Sequence, residues 1–327
     1  MSSRRPTVVV LGASGFLGSA IARRLSEWPV RLRAVARRPA RVPTDGRAEV
    51  EICQADLTVA GNLAQAVAGA DTIVHLLLYD SGASWRVEEG DLAGERVNVG
   101  VALDLVEVLR GNGRRSASPV VVFAGSTSQV GVPTITRIDG TESDDPVTEY
   151  DRQKLAAERA FSAATAEGVL RGITLRLATL FGHSPMSQHA DRGVVVTMIR
   201  KALAGESLTM WNDGTVARDL LYLDDAVEAF LAALDHPDAL AGRHWLVGAG
   251  KAVSIAELFN EIAATVAIHT GRSPVSVVSV PPPEHATAAD FQSFDSDPSA
   301  FHRVTGWQAQ TPLRAALLHT VAALDRG

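Results

Sequence analysis

Tyr150 and Lys154 stand four residues apart in Tyr150-Asp151-Arg152-Gln153-Lys154, opening a stretch with helical periodicity that runs to about Glu167. On a helix that spacing puts both side chains on one face. An ammonium there can stabilise a phenolate and draw the tyrosine down from its ordinary value of ~10. A tyrosine so placed is a usable acid or base. Upstream, Phe123-Ala124-Gly125-Ser126-Thr127-Ser128 ends an apolar strand in hydroxyls. A lone Y-x-x-x-K arises often by chance; together with a strand-end serine and a glycine fingerprint it is hard to explain as structure alone.

That fingerprint lies near the start of the chain. Thr7-Val8-Val9-Val10-Leu11 reads as a strand buried on both faces, and Gly12-Ala13-Ser14-Gly15-Phe16-Leu17-Gly18 breaks it into a helix from Phe16 to about Glu27. Gly12 permits the turn, Gly15 lets backbone N–H groups approach a pyrophosphate, and Gly18 lets the helix pack closely on the sheet. Ser14, Phe16 and Leu17 fall in the same cradle. The ligand expected is a dinucleotide, although glycine-rich strand exits also occur as plain turns.

The surrounding elements are those such a site needs. Further strands are expected at about Val30–Ala36, Glu49–Cys53, Thr72–Leu78 and Val120–Ala124, with helical patterns at Ala60–Ala68 and Leu92–Leu109. This is the doubly wound α/β pattern of a Rossmann-type parallel sheet, whose ligands bind beyond the C-terminal ends of the strands. After the second strand, where an NAD site usually offers an acid to the ribose, the chain has Arg37-Arg38. Two guanidinium groups there suit a 2′-phosphate and so NADP(H), the plainer alternative being a solvated basic loop. Asp56-Leu57, past the third strand, is placed to hold adenine, or Asp56 simply caps a turn.

Composition narrows the classes. The chain has 327 residues, 46% of them hydrophobic, and a formal charge of −6, which argues against nucleic acid. A single cysteine, Cys53, leaves no internal disulfide, and the nine histidines lack metalloprotease spacing, so no metal is expected. Neither a targeting signal nor an apolar run near the ~20 residues of a membrane span is seen, and a cytoplasmic protein is expected.

With these residues in view, the chain resembles the extended short-chain dehydrogenase/reductase family of NAD(P)-dependent epimerases, dehydratases and reductases acting on nucleotide-linked sugars. Gly12, Gly15 and Gly18 match its fingerprint, His75-Leu76-Leu77-Leu78 its H-L-A-A, Ser126 before Gly131 its strand-end hydroxyl, and Tyr150 and Lys154 its Y-x-x-x-K. Leu175 to Gly182 resembles R-P-x-N-x-Y-G. Asn212-Asp213-Gly214, Arg218-Asp219 and Asp224-Asp225 resemble the family's G-D-G and R-D-F-x-x-V-D-D.

The resemblance implies Ser126, Tyr150 and Lys154 as catalytic residues. It implies Leu76 beside the cofactor, Thr127 and Thr179 near the sugar, and Arg218 on the substrate pyrophosphate. It also implies a homodimer through the helices at Leu92–Leu109 and Tyr150–Glu167. Residues 1–182, with 219–247 returning to them as strand, helix and strand, would bind cofactor; residues 183–327, mainly 183–218 and 251–327, would bind substrate. Thr127-Ser128 in place of the dehydratases' Asp-Glu argues against elimination, and Arg37 against the tightly NAD-holding epimerases. His183 and Asp80 are read as structural.

The pattern is most like bacterial TDP-4-keto-6-deoxyhexose 4-ketoreductases of natural-product deoxysugar biosynthesis. They would pass hydride from NADPH to C4 while Tyr150 protonates the alkoxide, Ser126 holds that oxygen, and Lys154 orients the ribose. A nucleotide-sugar 4-epimerase and a non-catalytic NADP-binding sensor are the alternatives.

Overall fold

The structure, a computed structural model, describes residues 4–79, 87–111, 117–187, 193–284 and 286–326. Asp80 lies outside them.

Seven strands form the central sheet: β1 (Thr7–Leu11), β2 (Arg31–Ala36), β3 (Glu49–Gln54), β4 (Thr72–His75), β5 (Val120–Ser126), β6 (Arg171–Leu177) and β7 (Arg243–Val247). Their order is β3-β2-β1-β4-β5-β6-β7, and every pairing is parallel. A parallel sheet needs crossovers that cover both faces, so its central strands are apolar throughout. In β1, Val8 and Val10 enter one core and Val9 and Leu11 the opposite one. Helices Phe16–Leu25 and Leu223–Asp235 cover the first face; Asn62–Val67, Val101–Gly111 and Glu149–Ala166 cover the second. The chain leaves β1 towards β2 on one side and returns as β4 on the other, and that reversal opens the crevice at the strand ends.

A second core gathers Phe181, Ile199, Leu258, Phe259, Ile262, Leu317 and Val321. It is built from helices Val194–Leu203, Ile255–Thr270 and Leu313–Asp325. The strand expected to return to the main sheet near Asp219 does not do so. Ala217–Tyr222 pairs instead with Thr179–Phe181 and Ala252–Ser254, while the following helix and β7 do return. Phe301 and Trp307, late in the chain, pack into the core of the larger sheet.

Two other expectations differ in detail. The fourth strand stops at His75, and Leu76 to Leu78 form irregular chain. The helix expected over Leu92–Leu109 contains a π-helical turn, Arg96–Gly100, before Val101–Gly111. No helix among the described residues is long and apolar enough to cross a membrane.

Candidate active site

At the end of β1, Gly12 turns with φ +93°, and its N–H and that of Ala13 donate to the Val35 carbonyl at 2.9 and 3.1 Å. A Cβ on Gly18 would lie 2.1 Å from the Gly12 carbonyl oxygen, so only glycine lets the helix approach this closely. The helix begins at Phe16, after Gly15, and no side chain caps it. Its first-turn N–H groups and the positive end of its dipole are thus available to an anion, as a dinucleotide pyrophosphate requires.

The side chains of Leu17 and Leu57 are buried in the two cores, so these residues can meet a cofactor only through backbone. Leu76 follows β4 and packs directly on Gly12. Arg37 and Arg38 are exposed just past β2. Asp56 Oδ1 accepts from the N–H and hydroxyl of Thr58 at 2.9 and 2.6 Å. These bonds, ahead of the charge of Arg37, hold its carboxyl below the usual range. The turn-capping role read as an alternative is therefore present.

At the end of β5, Ser126 opens the short turn Thr127–Val130 and caps it reciprocally with Gln129, whose Oε1 accepts from Ser126 N–H at 2.8 Å. Tyr150 stands in the first turn of Glu149–Ala166, within hydrogen-bonding reach of Ser126. Lys154 Nζ donates to the Ala124 carbonyl at 2.8 Å and lies 5.8 Å from the Tyr150 ring centroid. Ser126, Tyr150 and Lys154 therefore converge. Leu177 is the register partner of Ser126, which places Thr179 just beyond it.

The electrostatics differ from those read from the spacing. Burial, first, and the adjacent Asp151 carboxylate push the Tyr150 phenol above the ordinary tyrosine value, only partly opposed by Ser126. Lys154 does not reverse this: its ammonium is turned to Ala124, and burial pushes it down to about 8. In this arrangement Tyr150 is a protonated acid.

Arg218 is also placed differently. Its guanidinium donates to the backbone carbonyls of Asp290 (2.7 Å), Gln292 and Ala217 (3.0 Å), against residues 290–292 rather than in the Tyr150 cluster. Its neighbour Asp219 is a buried anchor, accepting from Ala249 and Gly250 N–H and from Ser296.

Several residues of the site escaped the motifs. Glu158 takes Arg176 on both oxygens (2.6 and 3.0 Å) and Gln129 at 2.8 Å, and Arg176 also holds Asp144. Asn98, in the π-helical turn, accepts from Tyr79 N–H at 2.7 Å and donates to Gln153 at 2.8 Å, bracing the Tyr150 helix. The S-x-x-Q spacing of Ser126 and Gln129 and the Lys154-to-Glu158 step along one helical face were visible signals. The partners of Asn98 were not.

Comparison with known proteins identifies the family and the fold. A model of the NAD dependent epimerase/dehydratase family matches residues 8–248. A dTDP-6-deoxy-L-talose 4-dehydrogenase (NAD(P)(+)) of Kitasatospora kifunensis is 27% identical over 95% of this chain and 93% of its own. A dTDP-L-rhamnose 4-epimerase of Burkholderia thailandensis is 27% identical over 79% and 80%. The solved structure of MoeE5 in complex with UDP-glucose and NAD superposes with a TM-score of 0.79 at 29% identity, covering 98% of this chain and 99% of that one.

Proposed function

Because the chain belongs to the NAD-dependent epimerase/dehydratase family, we propose that it reduces the C4 keto group of a TDP-linked 4-keto-6-deoxyhexose, using NADPH in preference to NADH. The observation that carries this reading is a phenol kept protonated beside Ser126 at the end of β5, with hydroxyls rather than carboxylates at 127 and 128. A ketone reduction needs a proton donor at the oxygen and no acid–base pair for elimination.

The glycine turn and the uncapped helix fit the pyrophosphate of the cofactor, through the backbone N–H groups of Ser14, Phe16 and Leu17, that of Gly15 being bonded to the Gly12 carbonyl at 3.0 Å. Arg37 and Arg38 fit a 2′-phosphate, and the irregular chain at Leu76 and residues Asp56 and Leu57 flank the remainder. When bound, the nicotinamide supplies the hydride. Tyr150 then gives its proton to the developing alkoxide, Ser126 aligns the phenol, and Lys154, held on Ala124, is directed to the ribose and supports the tyrosinate that remains. Thr127, Thr179 and residues of 183–218 and 251–327 form the sugar and nucleotide side. Arg218 reaches a pyrophosphate by exchanging its carbonyl partners for phosphate oxygens, a charge-assisted gain.

The Kitasatospora relative supports the carbon and the type of chemistry, since its name describes oxidation at C4 of a 6-deoxyhexose, the reverse of this reduction. A second reading, a nucleotide-sugar 4-epimerase, is supported by the name of the Burkholderia relative. We further propose a cytoplasmic homodimer through the outward faces of Val101–Gly111 and Glu149–Ala166, where Leu103 is half exposed and Ala156 and Ala163 leave room for close approach.

Incubating the protein with NADPH and a panel of TDP-4-keto-6-deoxyhexoses, followed by nicotinamide absorbance, tests the reading. Stoichiometric NADPH loss is expected. Interconversion of 4-epimers with no net cofactor consumption would replace the reductase by the epimerase.

A further inference from the structure

Ser128 Oγ donates to Asp151 Oδ1, and the Thr148 hydroxyl donates to Asp151 Oδ2 at 2.6 Å. Ser128 Oγ also lies 2.6 Å from Ser126 Oγ, which is within hydrogen-bonding reach of Tyr150. A hydroxyl has one hydrogen, and a carboxylate only accepts. Once Ser128 spends its hydrogen on Asp151, the contact between the serines requires Ser126 to donate to Ser128. Ser126 then has none left for Tyr150 and can only accept from it. The directions follow one from another and all run towards Asp151, which is 3% exposed.

We infer that Asp151 is a positioning residue for Tyr150, the terminal acceptor of a one-way chain from Tyr150 through Ser126 and Ser128 that keeps Tyr150 a proton donor. Ser126, expected from the sequence to hold the substrate oxygen, instead receives the Tyr150 hydrogen until a carbonyl takes its place. The chain opposes formation of tyrosinate, because Ser126 can donate to the phenolate only by giving up its bond to Ser128. This keeps the resting site in the protonation state that reduction requires, and to that extent the inference rests on the function proposed above.

Among the other ionisable groups around the helix, His75 packs on Phe161 with neither ring nitrogen hydrogen-bonded within the described residues, and those that follow have partners of their own. Lys154 is bound to Ala124, Glu149 to Arg152 and Gln153, and Arg96 to Asp104. Arg110 is bound to Glu107 and Glu167, and Arg176 to Glu158 and Asp144. β5 and the turn Thr127–Val130 bring no charge. Asp151 also accompanies the Thr148 cap at the helix start, a purely structural role that would not reach the Tyr150 hydroxyl.

The chain has three tyrosines, Tyr79, Tyr150 and Tyr222, so carbon-13 labelling of the phenol carbon gives three signals, with Tyr150 assigned through Tyr150→Phe. In the cofactor-free wild type, Tyr150 should stay protonated to the alkaline limit of the folded state. Ser128→Ala cuts the chain and frees the Ser126 hydrogen, and should bring Tyr150 ionisation down by about one pH unit or more. Ser128→Thr should restore wild-type behaviour, while Asp151→Asn should lower Tyr150 by at least as much as Ser128→Ala. A Tyr150 signal unmoved by Ser128→Ala would overturn the inference, even if Asp151→Asn moved it, since charge through space would then suffice. Failure to turn over any keto-sugar would sink the proposed reaction and leave this titration unaffected.

Discussion

Arg176 donates to both carboxylate oxygens of Glu158, and this buried pair lies one side chain, Gln129, away from the backbone of Ser126. The ion pair thus fixes the strand end on which the proposed chemistry depends. Removing Glu158 leaves Arg176 with Asp144 as its ion partner but Gln129 without its acceptor, so Glu158→Ala should cost about 1–3 kcal/mol of stability. Urea unfolding measures this. Surviving folded protein should also lose turnover, because Gln129 no longer holds Ser126.

Tyr150→Phe removes the proton donor and keeps the ring. In the proposed reaction, turnover should fall about 10²–10⁴-fold while cofactor affinity changes little. Steady-state kinetics with a calorimetric cofactor titration separate the two effects. Wild-type turnover in Tyr150→Phe would remove Tyr150 from the mechanism.

Arg37→Ala should erase most of a preference for NADPH over NADH of roughly ten- to a hundredfold, leaving NADH affinity nearly unchanged. Where Arg38 shares the phosphate, the double substitution shows the full effect. Equal affinity for both cofactors in the wild type would make the two arginines a solvated loop and favour the epimerase.

His75 is fully buried between Phe123 and Phe161, ring centroids 5.6 Å away in each case, and neither ring nitrogen has a hydrogen-bond partner among the described residues. Burial, then the charge of Lys154, pushes it down to about 3. The unfolded chain takes up this proton from about pH 6.5 and the folded one does not. Stability should therefore be complete above pH 6.5 and decline as pH falls towards 3, by roughly 2 kcal/mol at pH 5. Melting curves of His75→Leu should lose this slope between pH 6.5 and 5. Glu158, opposed by burial but held down to about 2 by His244, Arg176 and Gln129, adds its own acid loss only below about pH 4.5.

Gly18→Ala puts a methyl group against the Gly12 carbonyl, where backbone must move. Cofactor binding should weaken at least tenfold and the melting temperature should fall. Unchanged affinity would mean that the turn is no phosphate cradle.

Much of this protein was legible in its sequence because the signals are local. Valine runs can only be buried strands, glycine at 12 and 18 answers a positive φ and a close helix approach, and Tyr150 and Lys154 share a face by helical period alone. Parallel crossovers then oblige the strand ends to meet in one crevice, so Ser126 and the Tyr150 helix were bound to converge. What tertiary structure decided concerns partners distant in sequence and the dielectric around them. Arg218 could be seen as a cation but not as one held by the carbonyls of residues 290–292. Asp219 lay within a recognisable motif, yet its strand joins the second sheet because Thr179–Phe181 and Ala252–Ser254 complete its ladder. The spacing of Tyr150 and Lys154 implied a lowered phenol; packing reversed the sign, because burial penalises the phenolate, Lys154 turns to Ala124, and Asp151 stands on the same turn. Spacing along a helix determines which side chains can meet, whereas a charge state depends on everything that surrounds them.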